Sequence, residues 1–310
     1  MSRSENDTWD ITEGVGATAL TVARARAAES DAECPLYTDP YAHFFVEAAL
    51  DAGWQPPFTE ETLAHIGKAD EQVTARLNTM TAYIAARTKY LDDFFTTAGA
   101  NGLDQVVILA AGLDTRAWRL PWISDTTIYE LDQPKVLEFK ERVLTQHRAR
   151  PAAVYVAVPV DLRHDWPEAL QQRGFDPSRP TVWCAEGLLP YLSAEAQDGL
   201  FERIDALSAA GSRLAVEAFG HDFYSPEVME RRRARMAQAR RAAAEAGIDE
   251  IPDTSALWYL EARTDVADWL TGHGWQVETI DAPDLMAHYR RPPADEEVVP
   301  DTTFVAATKN

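Results

Sequence analysis

Between residues 106 and 132 the chain twice runs through a short apolar stretch and stops on a residue suited to holding a ligand. The first stretch, Val106-Val-Ile-Leu-Ala-Ala-Gly112, ends in a glycine; the second, Thr127-Ile-Tyr-Glu-Leu-Asp132, ends in a carboxylate. A buried strand that delivers a tight glycine turn brings backbone N–H groups and a helix start close to a ligand. An acidic residue at the tip of the next strand, 20 residues after the glycine, is how nucleoside-binding α/β folds hold ribose hydroxyls.

The same alternation continues to the end of the chain. Short β-type runs stand at 106–111, 127–131, 153–158, 181–185, 212–218, 275–280 and 302–308, with helical patterns at 134–147, 194–209 and 264–273. Strands separated by helices predict a twisted, mostly parallel seven-stranded sheet with helices on both faces. The run at 302–308 follows a long proline-containing loop rather than a clear helix, which leaves room for an antiparallel strand at or near the sheet edge. Residues 1–100 read as mostly helical: good helix formers fill 17–28, Asp39-Pro40 starts another helix, and a longer pattern spans about 60–96. The domain reading is therefore an N-terminal helical cap, 1–100, and an α/β core, 101–310, with an insertion at 220–262. Ser225-Pro226-Glu227 opens a helix in that insertion, running through Arg231-Arg-Arg and Arg240-Arg to Gly247. A solvated helical face with its own ion pairs accounts for those arginines; a flap over a substrate is the second reading.

Charge excludes some partners. With 29 basic and 50 acidic side chains the net charge is −21, which repels nucleic-acid phosphates and anionic lipid. Cys34 and Cys184 form no C-x-x-C pair, so neither a disulfide scaffold nor a structural zinc site is expected. Without an apolar leader-type segment or a run of about 18 apolar residues, the expected location is the cytoplasm. The expected partner is a small molecule, and the oligomeric state stays open.

Two further elements fall at strand ends. Val160-Asp161-Leu162-Arg163 follows the third strand, and Glu186 follows the strand Thr181-Val-Trp-Cys-Ala185. Ligands of open α/β sheets sit at this carboxyl edge, where Asp161 can accept from an exocyclic amine while Leu162 packs on a purine. Each residue has a plainer role beside this one. Asp114 can cap the helix near Thr115, Asp161 can pair with Arg163, Glu186 can be a strand-end carboxylate, and Asp132 can cap the helix that Pro134 begins.

Taken together, Ala111-Gly-Leu-Asp-Thr-Arg116, Arg119-Leu-Pro121, Tyr129-Glu-Leu-Asp-Gln-Pro134, Val160-Asp-Leu-Arg163 and Ala185-Glu-Gly-Leu-Leu-Pro-Tyr-Leu192 resemble the leucine carboxyl methyltransferase family. Within it they are closest to an actinobacterial branch of S-adenosyl-L-methionine-dependent methyltransferases, and the match runs from about Thr8 to Phe219. Tyr83-Ile-Ala-Ala-Arg87 and the residues after it are similar to that family's N-terminal cofactor-contacting helix. The resemblance implies a Rossmann-like class I methyltransferase fold with an N-terminal helical lid and a helical insertion after the fifth strand. It also implies roles for S-adenosyl-L-methionine binding. Arg87 would meet the methionyl carboxylate, and Gly112 with Ala111 would face the methionyl portion. Asp132 would bind the ribose hydroxyls beside Gln133, Asp161 and Leu162 would hold adenine, and Glu186 would lie near the amino group. Where typical members carry a second glycine this chain has Ala110-Ala111, tolerable if Ala111 keeps a negative φ.

The reaction so implied is O-methylation of a carboxylate, or of a hydroxyl, on a small molecule. A carboxylate is ionised at pH 7 and needs no base, whereas a phenol would profit from one. Tyr191 and His221 are the candidates for that role, although a lone histidine at a strand end is commonly structural. No metal is expected, since no H-E-x-x-H cluster occurs. The alternatives are a non-catalytic S-adenosyl-L-methionine-binding protein and an NAD(P)-dependent oxidoreductase. The latter requires G-x-G-x-x-G, and here Gly112 is followed by Leu-Asp-Thr-Arg.

Overall fold

A computed structural model describes residues 11–12, 14–56, 71–220, 257–294 and 298–310, with isolated positions between 223 and 241. Its centre is a seven-stranded sheet in the order β3-β2-β1-β4-β5-β7-β6. The strands are β1 (Gln105–Leu109), β2 (Thr127–Asp132), β3 (Val154–Pro159), β4 (Val182–Ala185), β5 (Arg213–Phe219), β6 (Trp275–Asp281) and β7 (Thr302–Lys309). The first five are parallel, and β7 runs antiparallel between β5 and β6. All seven expected strands are present, so the mostly parallel α/β reading holds.

Both faces of the sheet are buried, and alternate strand residues serve different cores. Val107, Leu109, Trp183 and Val216 pack with α6 (Trp166–Gln172), α7 (Ala194–Ala206) and α8 (Val266–Gly272). Val106, Ile108, Val182 and Ala215 face the other way. There they meet α1 (Gly14–Ser30), α2 (Ala42–Asp51), α3 (Glu71–Ala100) and α5 (Pro134–Gln146) through residues such as Leu20, Phe45, Phe95 and Val143. The N-terminal helices thus share a core with the sheet.

One local expectation needs correction and one condition is met. The segment after β6 is not simply a loop: α9 (Ala282–His288) follows directly, with Pro283 in its first turn and Ala282, Leu285 and Met286 buried. Proline is well placed there because first-turn N–H groups have no helical acceptor. Second, the left-handed backbone of the β1 turn falls on Ala110, with φ 52°, and on Gly112, with φ 51°. Ala111 keeps a negative φ, as the sequence reading required, and the residue before it takes the left-handed turn.

Of the 220–262 insertion, the opening of the expected helix is described: the Ser225 hydroxyl accepts from Val228 N at 3.3 Å. Arg233 lies 3.6 Å from Glu230 in an exposed pair. Gly247 and most of 229–256 fall outside the described residues. No helix among the described residues is long and apolar enough to cross a membrane.

Candidate active site

Strand register decides what meets at the sheet edge. Leu109 of β1 pairs with both Leu131 of β2 and Ala185 of β4, and Ala185 pairs with Val216 of β5. The next residues along each strand, Ala110, Asp132, Glu186 and Glu217, therefore emerge side by side. The strand order changes direction between β1 and β4, the switch point at which open α/β sheets bind ligands.

A cavity of about 360 Å³ opens here, within the range of small-molecule sites. Arg87, Ala111, Gly112, Asp132, Glu186 and Tyr191, all singled out in the sequence, line it. Helix α1 covers it through Thr18, Ala19 and Val22, and α3 through Met80 and Tyr83. Gln133, Asp161 and Leu162 lie outside that lining. They sit at the neighbouring ends of β2 and β3, where Gln133 Nε2 donates to Asp161 Oδ2 at 2.8 Å. His221 lies outside the described residues.

Asp132 holds the glycine turn in place. One carboxylate oxygen accepts from Gly112 N at 2.6 Å, the other from Gln133 N at 2.7 Å. Burial pushes its pKa up, and those two N–H groups oppose the rise. The cap of α5 is Gln133 rather than Asp132. Asp161 does pair with Arg163, whose Nη2 donates to it at 2.6 Å and whose Nε bridges both oxygens at 3.0 Å. Its pKa is lowered: burial raises it, and the Arg163 side chain and backbone N–H outweigh that.

Behind the cavity runs an alternating charge network. Arg87 Nε lies 2.9 Å from Glu186 Oε1, and Arg87 Nη1 donates to Glu217 at 3.0 Å. Glu186 Oε2 accepts from Arg116 Nη1 at 2.8 Å. Arg116 also grips Asp114 and, through Nε at 2.8 Å, Asp92. Arg119 forks onto Asp92 at 2.6 and 2.7 Å. Glu217 further accepts from the Tyr83 hydroxyl and from Gly187 N at 2.7 Å; Gly187 reaches it with a φ of 63°. Pairing offsets the desolvation of charges this deeply buried. Burial lowers the affinity of Arg87 for its proton, yet Glu217 and Glu186 raise its pKa well above the ordinary value. Glu186 is held below the usual carboxylate range by Arg116 and Arg87 against the effect of burial.

Asp114 both caps and pairs: Oδ1 accepts from Arg116 N at 2.6 Å while the other oxygen meets the Arg116 guanidinium. The short helix it precedes is α4 (Arg116–Arg119). Burial pushes Asp114 up, but the guanidinium of Arg116 brings it down to about 2.

Sequence reasoning missed Glu217, Tyr83, Arg116 and Asp92 as members of this site. Glu217 had a signal, a lone carboxylate inside the apolar run at 212–218. Arg116 stood inside a quoted motif, but nothing in the spacing told which carboxylates it would meet. Tyr191 lines the cavity with its hydroxyl 3.4 Å from Thr18 Oγ1. Among the described residues no group of three or more His, Cys, Asp and Glu is arranged to hold a metal ion.

Comparison with known proteins adds three findings. The family model described as leucine carboxyl methyltransferase matches residues 19–205. A Mycolicibacterium paratuberculosis protein is 54% identical over 312 residues, covering 100% of this chain and 98% of its own length. A Mycobacterium tuberculosis protein is 52% identical over 311 residues, covering 100% and 99%. Both are named for S-adenosyl-L-methionine-dependent methyl transfer. A crystal structure of a DUF574 family protein from Streptomyces avermitilis aligns over 93% of this chain and 97% of that one, at 14% identity and a TM-score of 0.49.

Proposed function

The chain belongs to the leucine carboxyl methyltransferase family, and from that premise we propose that it methylates an oxygen of a small-molecule carboxylate. It is an S-adenosyl-L-methionine-dependent methyltransferase. The acceptor and the atom methylated are the part we infer, together with a cytoplasmic location, which suits the free Cys34 and Cys184.

The observation that carries the cofactor part of the reading is the charge of the cavity wall, whereas the carboxylate acceptor rests on the family. Asp114, Asp132, Glu186 and Glu217 line it against Arg26 and Arg87. An anionic wall complements a group bearing a sulfonium and an ammonium. Gly112 turns with a φ of 51°, a left-handed conformation that favours glycine and lets the backbone face the cavity. The residues present therefore fit the cofactor.

In this reading Asp132 takes the ribose hydroxyls, with Gly112 and Ala111 facing the methionyl portion. Glu186 lies by the amino group, and Gln133, Asp161 and Leu162 hold adenine from the β2–β3 side. Arg87 meets the methionyl carboxylate with its guanidinium already oriented by Glu186 and Glu217. Bound S-adenosyl-L-methionine supplies a methyl group on cationic sulfur, which an acceptor oxygen takes with its own lone pair while sulfur keeps the electrons of the broken bond. What the chain contributes is alignment and exclusion of water. Helices α1 and α3 close the cavity, and the cancellation of opposite charges is favoured in such a dry site. A carboxylate acceptor, with a pKa of about 4, is already ionised, so neither Tyr191 nor His221 has to act as a base.

The experiment is incubation with S-adenosyl-L-methionine and separate panels of carboxylic acids and phenols, with products followed by mass spectrometry. A methylated product that mild alkali cleaves is an ester and supports the carboxylate reading. An alkali-stable ether formed from phenols alone overturns it.

A further inference from the structure

The guanidinium of Arg87 is clamped along two of its nitrogens and open at the third. Nε lies 2.9 Å from Glu186 Oε1, and Nη1 donates to both Glu217 oxygens, at 3.0 and 3.1 Å. Nη2 has no partner among the described residues, yet it keeps accessible surface in a side chain that lines the cavity. The other two arginines of the network differ. Arg116 places Nε on Asp92, Nη1 on Asp114 and Glu186, and Nη2 on the Thr88 carbonyl. Arg119 places Nε on Thr115 Oγ1 and both Nη atoms on Asp92. A guanidinium serving stability alone uses its whole fork in this way, and Arg87 withholds one arm.

Glu217 forms the outer half of the clamp and is itself held from several sides. It accepts from the Tyr83 hydroxyl, from Gly187 N at 2.7 Å and from Arg87. Tyr83 precedes Arg87 by four residues on α3, the spacing that puts both on one face of a helix. Its ring centre lies 6.1 Å from that of Phe304 on β7 and 5.9 Å from the Arg87 guanidinium carbon. Burial, together with the Glu217 carboxylate, raises the Tyr83 pKa well above its ordinary value, so the hydroxyl keeps its proton and stays a donor. The chain Tyr83–Glu217–Arg87 therefore runs from α3 to the tip of β5 and back to α3.

Resting on the cofactor reading above, we infer that Glu217 and Tyr83 are positioning residues for the amino-acid end of S-adenosyl-L-methionine. Tyr83 fixes Glu217, Glu217 fixes Arg87, and Arg87 offers the single arm Nη2 to the methionyl carboxylate. A long side chain held in advance loses less freedom when a ligand arrives. The nucleoside half of the cofactor, assigned to the β1, β2 and β3 ends, does not depend on this chain.

The test is calorimetric titration of the full chain with S-adenosylhomocysteine and with 5′-methylthioadenosine, which keeps the nucleoside and the thioether but lacks the amino-acid end. Glu217→Gln should weaken S-adenosylhomocysteine about tenfold, about 1.4 kcal/mol, and leave 5′-methylthioadenosine affinity unchanged. Tyr83→Phe keeps the ring and removes the hydroxyl. It should weaken S-adenosylhomocysteine about threefold, the scale of one net hydrogen bond, again without moving 5′-methylthioadenosine. Because the tyrosine acts through the carboxylate, the double variant should lose no more than Glu217→Gln alone. Equal losses for both ligands mean that Glu217 merely supports the cavity, and overturn the inference. Unchanged S-adenosylhomocysteine affinity in Glu217→Gln overturns it too, as do additive losses in the double variant. A wild type that binds neither ligand overturns the cofactor reading instead. Should Glu217→Gln not fold, Tyr83→Phe decides with the same two ligands.

Discussion

Arg116 and Glu186 stand 70 residues apart in the chain and 2.8 Å apart in the fold. Their contact joins the turn after β1 to the tip of β4, and each then passes charge outward, Arg116 to Asp92 on α3 and Glu186 to Arg87 on α3. The N-terminal helix that covers the cavity is thus tied to the sheet at two points by the residues that shape the site.

Arginine is needed at 116 because its planar fork reaches Asp92, Asp114 and Glu186 at once, which a single ammonium on a flexible stem does not. Arg116→Lys should lower stability by about 1–3 kcal/mol through the unmet buried carboxylates and weaken S-adenosyl-L-methionine binding as Glu186 loses its hold. Urea melts and calorimetry check both. Unchanged values in the two measurements would show that the network is incidental.

Acid should unfold the protein through the same network. Asp114 ionises at about 2 in the folded chain against about 3.9 in an unfolded one. Its folded pKa is lowered, so the stability it adds is complete above about pH 4 and is lost as the pH falls through about 2, some 2 kcal/mol in all. Glu186 is lowered in the same direction by Arg116 and Arg87, so its contribution is likewise lost as the pH falls. Asp114→Asn should be less stable than wild type at pH 6, with the gap shrinking below pH 4. A gap independent of pH would refute the assignment.

Asp132 is placed to serve a ligand and the turn together. Asp132→Ala should weaken S-adenosyl-L-methionine about tenfold or more, the scale of a lost hydrogen bond to a charged group. NAD is the control titrant. Wild-type affinity in this variant, with cofactor binding otherwise intact, would remove Asp132 from the cofactor site.

The turn after β1 carries local strain that substitution can expose. Ala110 sits at φ 52°, a region costing an L-residue about 1–2 kcal/mol, and glycine there gives back about 0.5–1 kcal/mol in lost chain entropy. Ala110→Gly should therefore be neutral to about 1 kcal/mol more stable, whereas Ala111→Gly should be destabilised by about 0.5–1 kcal/mol. Equal losses in urea melts of the two variants would deny the left-handed turn. Strain retained at a ligand-facing turn is consistent with a backbone shaped for contact.

By itself the sequence determined the layout of the sheet and the residues at its edge. Period and composition marked all seven strands because each is a short apolar or alternating run, and a run of that kind is decided by near neighbours. The positions of Ala111, Gly112, Asp132 and Glu186 at strand ends followed from the same local signal. Helix α9 was not legible, since seven residues beginning Ala282-Pro283 carry too little periodicity to stand out from a loop. Tertiary structure alone decided the rest. Glu217 joined the site through the register of β5 on β4, and Arg87 and Asp92 through the docking of α3. Each of these is a long-range pairing of buried charge with a distant partner. Such pairings follow from which surfaces the folded layers bring together, and no window along the chain contains both halves.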